Sequence, residues 1–209
     1  MGNLKYIENK NEIKDVSNKK ILKSLAKYKI WVAASTHSGE ELLAAKVHNL
    51  LKKKQKNLIT IIIPRHINRV NKIINEIKEL NLKVTTYSSK QNNFVNTDIY
   101  IVDAFGLSKS FYKISPTVYL GKSILHKGGQ NPLEASRFNC NILHGPNIDN
   151  FQDIYKHLHK LKISKKVNSI NDFVYKIKFK KNYKNFVKLK KISNKIFKKT
   201  ILELNQHIR

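Results

Sequence analysis

The run Leu58-Ile59-Thr60-Ile61-Ile62-Ile63 constrains this chain most. It is almost wholly apolar, rich in β-branched side chains and closed by Pro64. Such a run suits a buried strand and falls far short of the roughly 20 apolar residues that a membrane span needs. Ile30–Ala34, Lys83–Tyr87, Ile99–Val102, Thr117–Leu120 and Asn141–Leu143 read as further strands. Between them, Leu42, Leu43, Ala45, Val47, Leu50 and Leu51 recur at helical spacing, as do Val70, Ile73, Ile74, Ile77 and Leu80. Gly106–Lys113 and Pro132–Phe138 read as short helices, and residues 150–163 as a helix with a further strand. Strands and helices alternating through short polar loops predict an α/β fold, a Rossmann-like parallel sheet flanked by helices. Sheets of that kind bind ligands at the carboxyl ends of their strands.

The chain carries 41 Lys+Arg against 14 Asp+Glu, a net charge of +27. That field attracts nucleic acid, anionic lipid or phosphorylated ligands. Arginine occurs only at positions 65, 69, 137 and 209, whereas planar recognition of phosphate or guanine favours arginine. Lysine spread among asparagine and isoleucine reads as compositional bias and surface solvation. The chain also lacks the aromatic platforms beside basic residues that single-strand binding wants, so nucleic acid is not the expected partner. A lone cysteine, Cys140, excludes an internal disulfide and suits a buried apolar site between Phe138 and Ile142. Met1–Tyr6 has no apolar core of a signal peptide, which predicts a soluble or peripheral cytoplasmic protein.

Three loops at strand ends carry the chemistry. Ser35-Thr36-His37-Ser38-Gly39-Glu40-Glu41 offers hydroxyls and a helix start, which serve either as a cap or as a phosphate cradle. Pro64-Arg65-His66, with Arg69 a turn later, places two guanidiniums and an imidazole where they could clamp a phosphate or a carboxylate. Gly128-Gly129-Gln130-Asn131-Pro132-Leu133-Glu134 combines a flexible backbone, a helix cap at Asn131 and a proline suited to a first helical turn. Glu134 sits where a carboxylate could accept hydrogen bonds from ribose hydroxyls. Together they read as half of a nucleotide-sugar site. No Gly-x-Gly-x-x-Gly, Walker loop or zinc spacing is present, so neither a cofactor nor a metal is expected. His48, His157, His159 and His207 read as helix-face residues, while His126 and His144 flank the loops. Asp103 ends a strand where it could cap the next helix or touch a ligand.

These loops, in this order, resemble the C-terminal half of the Kdo (3-deoxy-D-manno-octulosonic acid) transferases of lipopolysaccharide synthesis. The resemblance runs from Gly2-Asn3-Leu4-Lys5 through Ser35-Thr36-His37-x-Gly39-Glu40-Glu41 and Pro64-Arg65-His66-x-x-Arg69. It continues through Asp103-x-x-Gly106, Gly128-Gly129-x-Asn131-Pro132-Leu133-Glu134 and Gly145-Pro146-x-x-x-Asn150-Phe151, to about residue 160.

The resemblance implies the C-terminal domain of a GT-B glycosyltransferase, binding the donor CMP-Kdo. On this chain Ser35 and Thr36 would hold the phosphate with the Gly128, Gly129 and Asn131 loop. Arg65 and His66 would meet the nucleotide or the Kdo carboxylate, Gly106 would line the site, and Glu134 would meet the ribose. The lipid A precursor, membrane association at the cytoplasmic face of the inner membrane, and the catalytic base are expected in an N-terminal acceptor half. Met1 falls at the family's interdomain junction, so no catalytic residue is expected here, and activity would need that half as a partner packed on the cleft side and C-terminal helix. Gln130 stands where the family has histidine, Lys122 where it has glycine, and Leu107 where it has glutamate. Leu107 and the missing base leave a degenerate, non-catalytic nucleotide-binding domain as the alternative.

The expected organisation is a linker and leading helix over 1–28, the Rossmann-like domain over 29–168, and a basic helical segment over 169–209. Phe186, Leu189, Ile192, Ile196, Ile201 and Leu204 form an apolar stripe in that last segment. It suits either packing on the sheet domain or an anionic membrane surface.

Overall fold

The computed structural model describes residues 19–191 apart from 92, 182, 185 and 190. The 1–18 linker, the Gly2–Lys5 motif, His207 and the stripe from Ile192 onward lie outside the described residues. Among the described residues seven parallel strands form one sheet in the order β3-β4-β2-β1-β5-β6-β7. They are β1 (Lys29–Thr36), β2 (Leu58–Pro64), β3 (Val84–Thr86), β4 (Ile99–Ile101), β5 (Thr117–Leu120), β6 (Asn141–His144) and β7 (Ser164–Lys166). The helices are α1 (Lys19–Leu25), α2 (Glu40–Lys52), α3 (Val70–Lys78), α4 (Ser108–Ile114), α5 (Leu133–Arg137), α6 (Gln152–Lys160) and α7 (Ile170–Lys176).

The sheet is buried on both faces, so its central strands are apolar throughout rather than alternating. Every residue of β2 is buried. Because successive side chains point to opposite faces, Trp31 and Ala33 join one core and Val32 and Ala34 the other. The first core is closed by α2, α3 and Phe173 of α7, the second by α1, α4, α5 and α6. A polar tie crosses the first: buried His48 on α2 bonds Thr60 Oγ1 on β2 at 2.9 Å and lies 3.5 Å from Asp98.

After α7 the chain passes beneath the starting ends of β5 and β6. Lys178 N donates to Thr117 Oγ1 at 3.0 Å, and Asn141 Nδ2 donates to Lys180 O at 3.0 Å. Lys181 Nζ then donates to three carbonyls, Tyr112, Lys113 and Phe138, at 2.7–3.2 Å. Burial there pulls its ammonium below its ordinary range. Leu189 finishes buried in the second core with Phe186 packed beside it. The described part of the apolar stripe therefore packs on the sheet.

Candidate functional site

β1 pairs with β2 on one side and β5 on the other. The chain leaves β1 toward one edge of the sheet and later returns to build the other. At such a switch the loops after the two strands diverge and leave a crevice at their carboxyl ends, the usual ligand position in open α/β sheets. Here those loops are Thr36–Gly39 and Gly121–Gly128.

A buried carboxylate joins them. Glu40, at the first turn of α2, is 0% exposed. Its Oε2 accepts the amides of His37 at 3.0 Å and Lys122 at 2.7 Å. Its Oε1 accepts the Tyr119 hydroxyl at 2.7 Å and the Ser123 amide at 3.2 Å. A carboxylate can be buried when several donors replace its water, and the positive end of α2 favours it further. The contact needs Gly121: a Cβ there would lie 2.5 Å from Ser35 O and 2.7 Å from Glu40 Oε2.

The backbone at the crevice is strained. Ser35 and Lys122 both adopt left-handed conformations, with φ of 53° and 57°. Such angles cost non-glycine residues about 1 kcal/mol and cluster at ligand sites. Lys122 stands where the resemblance calls for glycine, which would take that angle freely. Ser35 is half-buried at a register shift in β1, and Thr36 is fully buried with an unpartnered Oγ1.

The second loop is docked on the first, since Arg65 N donates to Thr36 O at 3.0 Å. Arg65 and His66 are exposed. Arg69 corrects the expectation of a paired guanidinium clamp. Its two terminal nitrogens reach the fully buried carboxylate of Glu41 at 3.2 and 3.3 Å, whereas Arg65 stays exposed.

Three imidazoles meet beside it. The His37 ring lies 5.6 Å from that of His66 and 5.4 Å from that of His126. His126 Nε2 donates to Ser38 O at 3.0 Å. Burial first, and then His126, His66 and Lys122, push the His37 imidazole down against the pull of Glu40. In the sequence His37 and Glu40 belong to the Ser35–Glu41 loop, read as a cap or a phosphate cradle, but neither is singled out there as a site residue. Gly121 was the available signal.

The glycine loop is anchored to the same place, because Gly129 N donates to Lys122 O at 2.9 Å. Gly128 and Gly129 are buried, with φ of 106° and 68°. A Cβ at Gly128 would lie 2.9 Å from Asn150 Nδ2, and one at Gly129 3.0 Å from Ile148 Cα. Their missing side chains thus admit the loop after β6. Asn131 Oδ1 accepts the Leu133 amide at 3.0 Å, so it caps α5 as its type suggests. Gln130 presents its carbonyl to the Tyr155 hydroxyl at 3.1 Å.

Glu134 is half-exposed on α5 and lies 3.7 Å from Lys109 of α4. Gly106, just before α4, is exposed with φ 78° and open space where a side chain would be. The next residue, Leu107, is only 3% exposed and belongs to the second core. Asp103 does not cap α4; it accepts the Ser88 amide at 2.9 Å and the Ser88 hydroxyl.

Away from the crevice, His144, His159 and Cys140 are engaged inside the fold. His144 bonds Gly145 O through Nδ1 and His159 Nε2 through its own Nε2 at 2.8 Å. Cys140 is buried, which pushes its thiol up to about 12. Among the described residues no group of three or more histidines, cysteines or carboxylates could hold a metal. None of the described helices is long and apolar enough to cross a membrane.

No family model matches the chain. It is 33% identical over 189 residues to a bifunctional glycosyltransferase/methyltransferase of Fusobacterium nucleatum, covering 88% of this chain and 29% of that protein. It is 34% identical over 175 residues to a 3-deoxy-D-manno-octulosonic acid transferase of Haemophilus influenzae, covering 82% of this chain and 40% of that protein. Among solved structures, the C-terminal CMP-Kdo binding domain of WaaA from Acinetobacter baumannii superposes with a TM-score of 0.67 at 24% identity. That match covers 76% of this chain and 87% of the domain, and it establishes a common fold. The chain therefore has the fold of the C-terminal domain of a GT-B glycosyltransferase, and it is a relative of the 3-deoxy-D-manno-octulosonic acid transferases that spans less than half of their length.

Proposed function

We propose that this chain is the donor side of a Kdo transferase and binds CMP-Kdo in the crevice between the ends of β1 and β5. What carries the reading is the convergence of Arg65, Lys122 and three histidines on one switch-point crevice. Glu40 is the carboxylate among them, and its oxygens are already engaged with protein donors. Such a cleft favours a phosphate or carboxylate ligand over a neutral one. Ser35 and Thr36 sit at its floor for the phosphate, with the Gly128, Gly129 and Asn131 loop beside them. Arg65 and His66 reach from the second loop toward nucleotide or Kdo carboxylate, while Gly106 and Glu134 define the ribose side.

On this reading the chain's chemical work is electrostatic: it stabilises CMP as the leaving group during inverting transfer. The lipid A precursor and the base that deprotonates its hydroxyl would belong to an acceptor half working at the cytoplasmic face of the inner membrane. Phe105 and Leu125, 74% and 57% exposed on loops at the crevice end of the sheet, suit an apolar surface facing that half.

Leu107 favours a second reading, nucleotide binding without transfer. Its side chain is committed to the core at the position where the resemblance places a carboxylate. Calorimetric titration with CMP and CMP-Kdo separates the two. Tighter binding of CMP-Kdo than of CMP supports the donor reading, and equal affinity supports the nucleotide-only one. No heat with either, together with salt-dependent binding of random-sequence DNA, would sink both.

A further inference from the structure

The histidine cluster bears on how such a ligand is held. His37, His66 and His126 come from three different loops, after β1, β2 and β5, and converge ring to ring. The Nε2 of His37 is buried and unpartnered. His126 spends its Nε2 proton on Ser38 O. The charged and titratable groups facing His37 are Glu40 on α2, His66, and His126 with Lys122 from the loop after β5. Glu41, next to Glu40, is neutralised by Arg69. His37 thus sits among cationic or neutral neighbours, beside a carboxylate whose lone pairs are already engaged.

Resting on the donor-site reading, we propose that this cluster is a proton-linked clamp for the phosphate group, in which His37 takes up a proton from solvent as a phosphate monoester binds. The free protein gains little from a second cation beside Lys122. A dianion in the crevice reverses that balance, because an opposite charge within about 4–6 Å favours the protonated imidazole. Binding and protonation then support each other, as linkage requires. The clamp would hold the departing nucleotide, a phosphate monoester, more strongly as pH falls. The intact donor, whose phosphate is a diester with a single charge, would respond less.

The test is calorimetric titration of the full chain with CMP at pH 7.5, in PIPES and in Tris, whose ionisation enthalpies differ. At that pH a phosphate monoester, with a second pKa of about 6, is already mostly dianionic, so uptake reports on the protein. The expected result is a buffer-dependent heat equivalent to a fraction of a proton taken up, with CMP affinity rising by up to about tenfold per pH unit on going down from pH 8, the limit for one proton. His37→Gln should bind CMP with buffer-independent heat. Buffer-independent heat in the unsubstituted chain overturns the clamp while leaving the donor site standing, as does uptake that persists in His37→Gln. Absence of CMP binding at any pH overturns the donor-site reading and the clamp with it.

Discussion

The hydroxyl of Tyr119, inside β5, donates to Glu40 Oε1 at 2.7 Å, so the strand on one side of the switch is tied to the helix that follows the strand on the other. Both residues are buried, and burial, together with Glu40 beside it, raises the Tyr119 phenol well above its ordinary range. The phenol therefore stays a donor at neutral pH. The crevice is built on this contact.

Glu40→Gln should therefore damage both stability and binding. An amide would set N–H donors against the backbone amides that the carboxylate now accepts. Charge-assisted hydrogen bonds contribute about 1.5–3 kcal/mol each, so a loss of roughly 3 kcal/mol of unfolding free energy is expected. Urea denaturation measures it, and a loss below about 1 kcal/mol would contradict the role given to Glu40.

Lys122→Gly should separate stability from affinity. Relief of the left-handed angle should raise stability by about 1 kcal/mol. Removal of the cation should weaken CMP binding. Denaturation midpoints and titration on the same variant check both signs, and a variant that both unfolds more easily and binds CMP unchanged would contradict the account.

The two arginines of the second loop should behave oppositely. Arg65→Ala leaves an exposed site, so stability should change by no more than about 0.5 kcal/mol while CMP affinity falls. Arg69→Ala strands the buried Glu41 carboxylate and should cost roughly 3 kcal/mol of stability. Equal stabilities for the two variants would be inconsistent with the Arg69–Glu41 pair.

His144 should make the fold acid-sensitive. Burial pushes its imidazole down to about 4, and its Nε2 must stay unprotonated to accept from His159. The unfolded chain titrates near 6.5. The stability linked to His144 is therefore complete above about pH 6.5 and is lost as pH falls toward 4, on the order of 3 kcal/mol in all. Chemical denaturation at pH 7.5 and 4.5 should show a smaller pH effect in His144→Asn than in the unsubstituted chain.

The fold was legible where burial acts on whole segments. Leu58–Ile63 had to be a doubly covered strand, and each strand read from an apolar run lies in the sheet. What composition could not reveal is which polar residues turn inward. Glu40 and Glu41 follow a glycine at a helix start, where carboxylates usually stay solvated, and donors from distant residues, among them the Tyr119 hydroxyl, the Lys122 and Ser123 amides and Arg69, bring them inside. The glycine loop shows the same limit. Gly128 and Gly129 do take positive φ, but the space left by their side chains is filled by Asn150 and Ile148 from a loop some twenty residues away. Arg69 was read as a ligand arm because arginine is scarce, and a buried carboxylate 28 residues earlier claims it instead.

The most direct measurement is amide shift mapping of the labelled chain on addition of CMP. If CMP binds in the crevice, perturbations appear at Ser35–His37, Arg65–His66, Lys122 and Gly128–Asn131, with Arg65→Ala weakening the response. Perturbations confined to the lysine-lined hollow of Lys162, Lys165, Lys166, Lys176 and Lys178 at the β7 edge would contradict it and assign nucleotide binding to surface charge.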